Sequence, residues 1–444
     1  MATITAPGVY VLEDDPGPRP IQSVGTDIVA LIGLAPAHDP ALVGRVVPIT
    51  SWSEFRKRFV DPGVVGDAQP ASTDLARAVA GFFNNGGGLT LVVDLGSGGG
   101  QLELDAALRA LSARDEVAIV AAPGFTGSAA WESLMGHCEQ LGDRVAILDP
   151  IAVVDDTEPL TRAAVGSSIP RSTGPGPASG GVTGSSAEDD DDDATGEEDV
   201  ATSEADDEGG GPLAGGGAGD PGDAGDGQRP RDCEYAAFYY PDIEVIDPID
   251  GQPTLTPPSG HLAGVYARVD AKRGVHKAPA NEPIVGALSL GAFVTKAEQG
   301  PLNSAGVNVI RSFPRQGIRI WGARTLAPGG PYRYLNVRRL VNMIKESIEE
   351  GTMWVVFECN DYRLWKSITR DVSAFLTRVW RDGALLGRTP DEAFFVRCDR
   401  ETNPDEEIDA GRVTTLIGMA PVKPAEFVVF KVSMSASAET NQGE

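Results

Sequence analysis

The chain has 444 residues, 41% of them apolar, with 64 acidic against 37 basic side chains and a net charge of −27. That length exceeds one ordinary core, so two or three units are expected, and no apolar run approaches the roughly 18 residues that a membrane-spanning helix needs. The acidic balance argues against nucleic acid as a partner, because phosphate binding is driven by clustered Lys and Arg.

The first residues, ATITAPGVYVLEDD, alternate Ile4, Val9 and Val11 with polar neighbours beside Pro7-Gly8, which suits an extended arm better than a core strand. They lack the basic and then apolar pattern of a signal peptide, so the chain is expected to begin life in cytoplasm. Short apolar runs then alternate with helix-like segments: DIVALIG, SWSEFRKRFV, LARAVAGFFNNGGG and LTLVVDL. This is an α/β rhythm. Ser51 and Glu54 have capping-box spacing, and Leu75, Val79 and Phe82 mark one helical face that stops at Asn84-Asn85-Gly86. A helix near Leu102 to Leu111 leads to VAIVAAP and one near Trp131 to Leu141 leads to RVAILDP, which gives a small, mainly parallel sheet flanked by helices.

From about Gly166 to Pro230 the sequence changes character, with about sixteen Asp and Glu among glycines and almost no bulky apolar residue. Such a stretch buries too little surface to offset its ordering entropy and is expected to be a disordered, exposed insertion. Asp189 to Asp193 lack the spacing and loop glycine of an EF-hand, so the run reads as a solvated acidic loop rather than a calcium site.

Ordered sequence restarts at YAAFYYPDIEV. Beyond Pro- and Gly-rich turns, a helix is predicted from about Tyr332 to Glu350, with Val337, Val341, Ile344 and Ile348 along one stripe and Gly351 as terminator. A second runs from about Tyr362 to Arg381. Its apolar face carries Leu364, Ile368, Val372, Phe375 and Val379, while Arg363, Lys366, Arg370, Arg378 and Arg381 occupy other faces. With IRIWGA, WVVFE, AFFVRC, VTTLIGMA and EFVVFKV as strands, this part reads as α+β.

Tests for chemistry fail one by one. After LTLVVDL, Gly96, Gly98 and Gln101 stand where a dinucleotide loop needs three glycines, and no phosphate-loop GxxxxGK[ST] run exists. Ser289 in ALSLG lacks the first glycine of a nucleophile elbow, so a structural role is expected. His38, His137, His261 and His276 show no metal-ligand spacing, and Cys138, Cys233, Cys359 and Cys398 form no CxxC pair, so buried free thiols and no metal site are expected. Glu358, Asp361 and Asp405 to Glu407 read as solvated or ion-paired acids. Neither a catalytic group nor a cofactor is indicated.

A strand at each chain end can add to a neighbour's sheet edge, using main-chain hydrogen bonds for affinity and alternate side chains for register. Val9, Tyr10, Val11 and Leu12 at one end, and Phe427, Val428, Val429, Phe430 and Val432 at the other, are the residues expected to do so. At these ends and through nearly all the chain outside the acidic stretch, the sequence resembles the contractile tail sheath family of phage tails and injection systems. The resemblance rests on ordered blocks: APGVYVLE, PIQSVGTDIVALIG, ITSWSEFRKRF and AVAGFFNNGGG, then GVNVIRSFPRQGIRIWGARTLA, YRYLNVRRL, SIEEGTMWVVFECND, AFFVRCD, NPDEEIDAGR and APVKPAEFVVFKV.

The resemblance implies a multi-domain α/β plus α+β subunit whose terminal strand arms complete a sheet in neighbouring subunits. It implies an N-terminal arm over 1–22, an outer α/β domain over 23–155, the acidic insertion over 156–232 and the rest of the outer domain over 233–305. A tube-facing α+β domain over 306–424 and a C-terminal arm over 425–444 follow. The implied function is structural rather than catalytic: polymerisation as stacked hexameric rings around an inner tube, and contraction that drives the tube through a target envelope. The implied partners are other copies, the inner tube protein, and baseplate and terminator or cap proteins, without membrane insertion. Assembly in bacterial cytoplasm as part of a phage tail or phage tail-like particle goes with that reading. The basic side chains of the second helix are the candidate tube contact, with a merely solvated charged face as the alternative. For the whole chain, the alternative from another class is an α/β enzyme with a disordered acidic insertion.

Overall fold

The computed structural model describes residues 20–37, 39–61, 72–151, 156–164 and 227–427. Val9, Tyr10, Val11 and Leu12 at one end, Val428, Val429, Phe430 and Val432 at the other, and the acidic run lie outside the described residues. The described chain begins with β1 (Val29–Gly33), β2 (Val46–Ile49), α1 (Trp52–Phe59), α2 (Asp74–Asn84), β3 (Thr90–Asp94) and α3 (Gln101–Leu111). There follow β4 (Ile119–Ala121), α4 (Ser128–Leu141), β5 (Val145–Leu148), β6 (Ala236–Tyr240), β7 (Ile243–Ile246), β8 (Pro253–Thr256) and α5 (Ser259–Arg273). The last elements are β9 (Ala287–Leu290), α6 (Lys296–Ser304), β10 (Val307–Phe313), β11 (Gly317–Ile320), α7 (Leu335–Thr352), α8 (Tyr362–Arg381), β12 (Phe394–Arg397) and β13 (Leu416–Met419).

Eight strands form one sheet in the order β11-β10-β6-β5-β4-β1-β3-β2. Its inner neighbours all pair in parallel, and β2 and β11 close the two edges antiparallel. Parallel strands covered on both faces must be apolar on both, and β1 shows it: Val29 and Leu31 point into one core, Ala30 and Ile32 into the other. On the first face α1, α2 and α5 supply Phe55, Phe59, Leu75, Val79, Phe82, Leu262 and Tyr266. On the second, α3, α4 and α6 supply Leu104, Leu108, Trp131, Leu134 and Leu302. Each such side chain taken fully out of water contributes about 1.5–3 kcal/mol.

Helices α2 and α5 approach unusually closely because α5 carries glycine at two positions one turn apart. A Cβ on Gly260 would stand 2.4 Å from the Ala78 backbone, and one on Gly264 would stand 2.4 Å from the Phe82 carbonyl oxygen. No other residue fits there without moving a helix.

The predicted helices and the mainly parallel sheet are present, with Leu75, Val79 and Phe82 buried as one face. Five expectations are corrected. At α1, Ser51 accepts the Glu54 N–H, but the Glu54 carboxylate turns to the N–H and hydroxyl of Thr50 rather than to Ser51, so the cap is not reciprocal. Gly351 does not end α7; it lies within it, because a side chain there would come within 2.7 Å of Ile21. WVVFE is not a strand: Met353–Val355 is a single 3-10 turn, with Met353, Val356 and Phe357 exposed and without a strand partner. Cys138, Cys233 and Cys398 are buried thiols, whereas Cys359 is exposed in the connection between that turn and α8. The ends of the expected insertion, 156–164 and 227–232, join the body: Leu160 is buried in the second core and Ala163 bridges Arg229.

The large sheet also crosses the 305/306 boundary, because β10 pairs in parallel with β6 through Val307↔Phe238 and Val309↔Tyr240. A third core sits outside that sheet. It joins Ile21, the apolar side of α7 and the buried face of α8.

Candidate assembly interface

Asp361 begins α8 by accepting the Leu364 N–H on its side chain at 3.0 Å, so one of the acids read as solvated or ion-paired is a helix cap. Along α8 the buried residues Leu364, Trp365, Ile368, Val372, Phe375, Leu376 and Val379 face the third core. The five candidate basic residues are all exposed, at spacings of three, four, eight and three residues. Those intervals return to one side of a 3.6-residue helix, so Arg363, Lys366, Arg370, Arg378 and Arg381 make a single basic stripe opposite the core. Lys366 lies over the Tyr362 ring at 5.1 Å, and the Arg370 guanidinium holds the buried Asp371 carboxylate at 3.0 Å. Arg378 has a further partner: it donates to the main-chain carbonyl of Ile21.

Strands β12 and β13 pair antiparallel from Phe394↔Met419 to Arg397↔Leu416. One face of this ribbon packs Phe394, Val396, Ile417 and Met419 against the third core. On the other, Phe395 is 54% and Leu416 50% exposed. The Phe395 ring occupies the space a side chain on Gly418 would need, 2.1 Å from that Cβ position. Among the described residues the ribbon has two strands and no third. Two-stranded ribbons are marginal by themselves, and the outer edge of each strand presents main-chain donors and acceptors to any strand that arrives.

The described chain is tied down near both of its limits, where it meets this region. At the N-terminal side, Ile21 is 1% exposed and inserts between α7 and α8. Nearby, the Val24 N–H donates to the Ser347 hydroxyl at 3.0 Å. Thr26 and Arg339 both donate to the Asp270 carboxylate, at 2.7 and 2.5 Å. At the C-terminal side, the Ala420 N–H donates to Ala393 O and the Val422 N–H to Ala384 O. Phe427, the one predicted arm residue described, is 74% exposed.

The groups tested for chemistry are separated and structural. His137 and His261 are buried on different helices, both pushed down to about 4 mainly by burial. The Ser289 hydroxyl donates to Glu244 across β9 and β7. Among the described residues no cluster of three or more His, Cys, Asp or Glu could hold a metal, and no helix is long and apolar enough to cross a membrane.

Sequence reasoning missed the glycine pair of α5, the burial of Ile21 and the Arg378–Ile21 bond. The G-x-x-x-G spacing in SGHLAG was the available signal for the first. The other two join residues more than three hundred positions apart and left no local trace.

Comparison with known proteins gives this geometry a family. The profile described as "Phage tail sheath protein central domain" matches residues 232–326, and "Phage tail sheath C-terminal domain" matches 328–435. The two meet in the connection between β11 and α7. A curated tail sheath protein of Burkholderia phage BcepMu is 29% identical over 206 residues, 44% of this chain and 42% of that protein. The match thus spans under half the length of that relative. Among solved structures, the anti-feeding prophage (AFP) helical sheath in its contracted state is 26% identical with a TM-score of 0.69, over 98% of this chain and 100% of that one. The sheath of an extracellular contractile injection system (PVC) in its contracted state shares the fold, with a TM-score of 0.69 at 24% identity over 98% and 99% of the two chains. Over residues 232–435 the chain thus matches the two domains of the phage tail sheath family, and along nearly all its length it shares the fold of contractile sheath subunits.

Proposed function

We propose that this chain is a structural subunit that polymerises as stacked hexameric rings around an inner tube and contracts to drive that tube through a target envelope. The observation that carries the reading is the unfinished β12–β13 ribbon, with exposed Phe395 and Leu416, in a body where the described chain is anchored near its two limits, at Ile21 and at Glu426. Residues 9–12 and 427–432 of neighbouring copies add strands to that ribbon. Main-chain hydrogen bonds then link the subunits while each body moves as a unit.

The outer α/β and inner α+β division of the subunit belongs to the same proposal, with the boundary falling between β11 and α7 rather than at 306. The basic stripe of α8 faces an acidic tube surface through polar contacts that can release, as contraction requires. Baseplate and terminator proteins cap the polymer, and the particle assembles in the bacterial cytoplasm. The AFP relatives, solved as a helical sheath and within a baseplate, support self-assembly and baseplate association. The subunit's work is mechanical: contraction releases free energy stored on assembly, without a nucleotide or a catalytic step.

Negative-stain electron microscopy of the purified chain, alone and with its tube protein, tests this. Striated hollow tubes are expected from the full chain and not from a variant beginning at Ile21, which keeps the buried anchor but lacks the arm. Compact uniform particles from both would sink the reading.

A further inference from the structure

After β13 the chain runs back as a strap over 420–427 and ends its described course against the large sheet. Three main-chain bonds, two of which make the bridge between Pro421 and Leu385, hold its first half on the third-core side. Its far end is held by one side chain. The Glu426 carboxylate accepts from Arg324 Nε at 2.9 Å and Nη2 at 2.5 Å, from Asn303 Nδ2 at 2.9 Å and from the Tyr334 hydroxyl at 3.4 Å. Arg324 is itself fixed. Its Nη1 donates to Asn303 O at 2.8 Å, and its main-chain N–H donates to the Asn308 side chain at 2.7 Å. Asn308 lies on β10 and donates in turn to Phe238 O of β6, so the clamp is bolted to the eight-stranded sheet.

The Arg324 and Glu426 side chains are 9% and 20% exposed. Burial would raise the Glu426 carboxyl, but the hydrogen bonds from Arg324 and Asn303 and the Arg324 charge hold it below its ordinary value. A buried ion pair of this kind costs about as much to desolvate as its attraction returns, so it adds little net stability over an apolar contact of the same volume. What it adds is geometry: a planar guanidinium grips a carboxylate in one orientation. One residue later comes Phe427, exposed and the last of the described residues.

We propose that Arg324 is the positioning residue of the C-terminal segment: it fixes where and in which direction that segment leaves the body. Tension along the segment then enters the eight-stranded sheet through Glu426 instead of peeling β13 from β12. This rests on the reading above, that the segment past Phe427 pairs with a neighbouring copy. An aliphatic pair would hold the strap by burial alone and let it slide, which a link between moving subunits cannot tolerate.

The test uses the full chain with Glu426→Gln, Arg324→Lys, and the exchanged pair Arg324→Glu with Glu426→Arg. Hydrogen exchange across 420–427 is read in the unassembled chain, and tube formation with the tube protein by electron microscopy. Faster exchange of the strap by about tenfold or more, with the α/β core unchanged, and short or absent tubes are expected for both single variants. The exchanged pair recovers part of both signals, which a generally weakened fold would not. Unchanged strap exchange in Glu426→Gln overturns the proposal, and so does a loosened strap with tubes of normal length. Failure of the unaltered chain to form tubes overturns the functional reading instead, and is seen without any variant.

Discussion

Arg378 on the exposed side of α8 donates a hydrogen bond to the main-chain carbonyl of Ile21, joining residues 357 positions apart. Ile21 in turn fills the space above Gly351, so the start of the described chain is gripped from two helices at once. One member of the basic stripe thus holds the chain's own N-terminal end and cannot be read as a pure partner contact. Arg363 and Lys366 are the cleaner probes of the proposed tube contact.

The paired change Arg363→Glu and Lys366→Glu should leave thermal stability within about 1 kcal/mol, since exposed charges contribute little. Cosedimentation with the tube protein should fall by about tenfold, the order expected for losing two charge contacts. By contrast, Arg378→Glu should cost about 1–3 kcal/mol, because a buried-side carbonyl loses its donor. A melting scan of the three proteins separates the two effects.

Replacing Gly264 with Ala should destabilise the chain by about 1–3 kcal/mol, the cost of overpacking a filled contact. The neighbour is the Phe82 carbonyl, a backbone atom that cannot rotate away. Denaturant midpoints for Gly264→Ala and for Gly136→Ala, where a Cβ meets nothing within 4 Å, make the comparison. An equal cost at both sites would remove the close-packing account of α2 and α5.

Glu346 on α7 is raised to about 7, first by burial and then by Asp143 and Glu350. A raised carboxyl favours the folded state in its protonated form, so its contribution is full below about 4.5 and is lost as pH rises through about 7. Glu346→Gln should therefore raise the melting temperature at pH 8 and change it little at pH 5. The buried His261 runs the other way: held near 4 by burial, it favours folding above about 6.5, and that stability is lost as pH falls towards 4. His261→Leu should flatten the acid limb of the stability profile while leaving the alkaline limb as it is.

Phe395→Lys tests the ribbon. Phe395 is half exposed in the free chain, so its loss should change the unfolding free energy by no more than about 1 kcal/mol, while tube formation is lost because the charge meets the arriving strands. Normal tubes from a stable Phe395→Lys chain would show that this face is not where strands add.

Elements whose signals are local were legible along the chain. The stripe of α8, the Leu75, Val79 and Phe82 face, and the apolar runs of β1, β3 and β5 were legible because side-chain period reports which face is buried. The ordered blocks carried the family, and the absence of ligand spacing argued against a reaction centre. Tertiary structure alone decided which glycines and charges matter. Gly351 looks like a helix stop until Ile21 is seen resting on it, and Arg378 looks like surface charge until its carbonyl partner is found. Arg324 and Glu426 become a clamp only when β10 brings them together. Each of these depends on a contact between distant parts of the chain, and period, propensity and capping report nothing beyond a few turns.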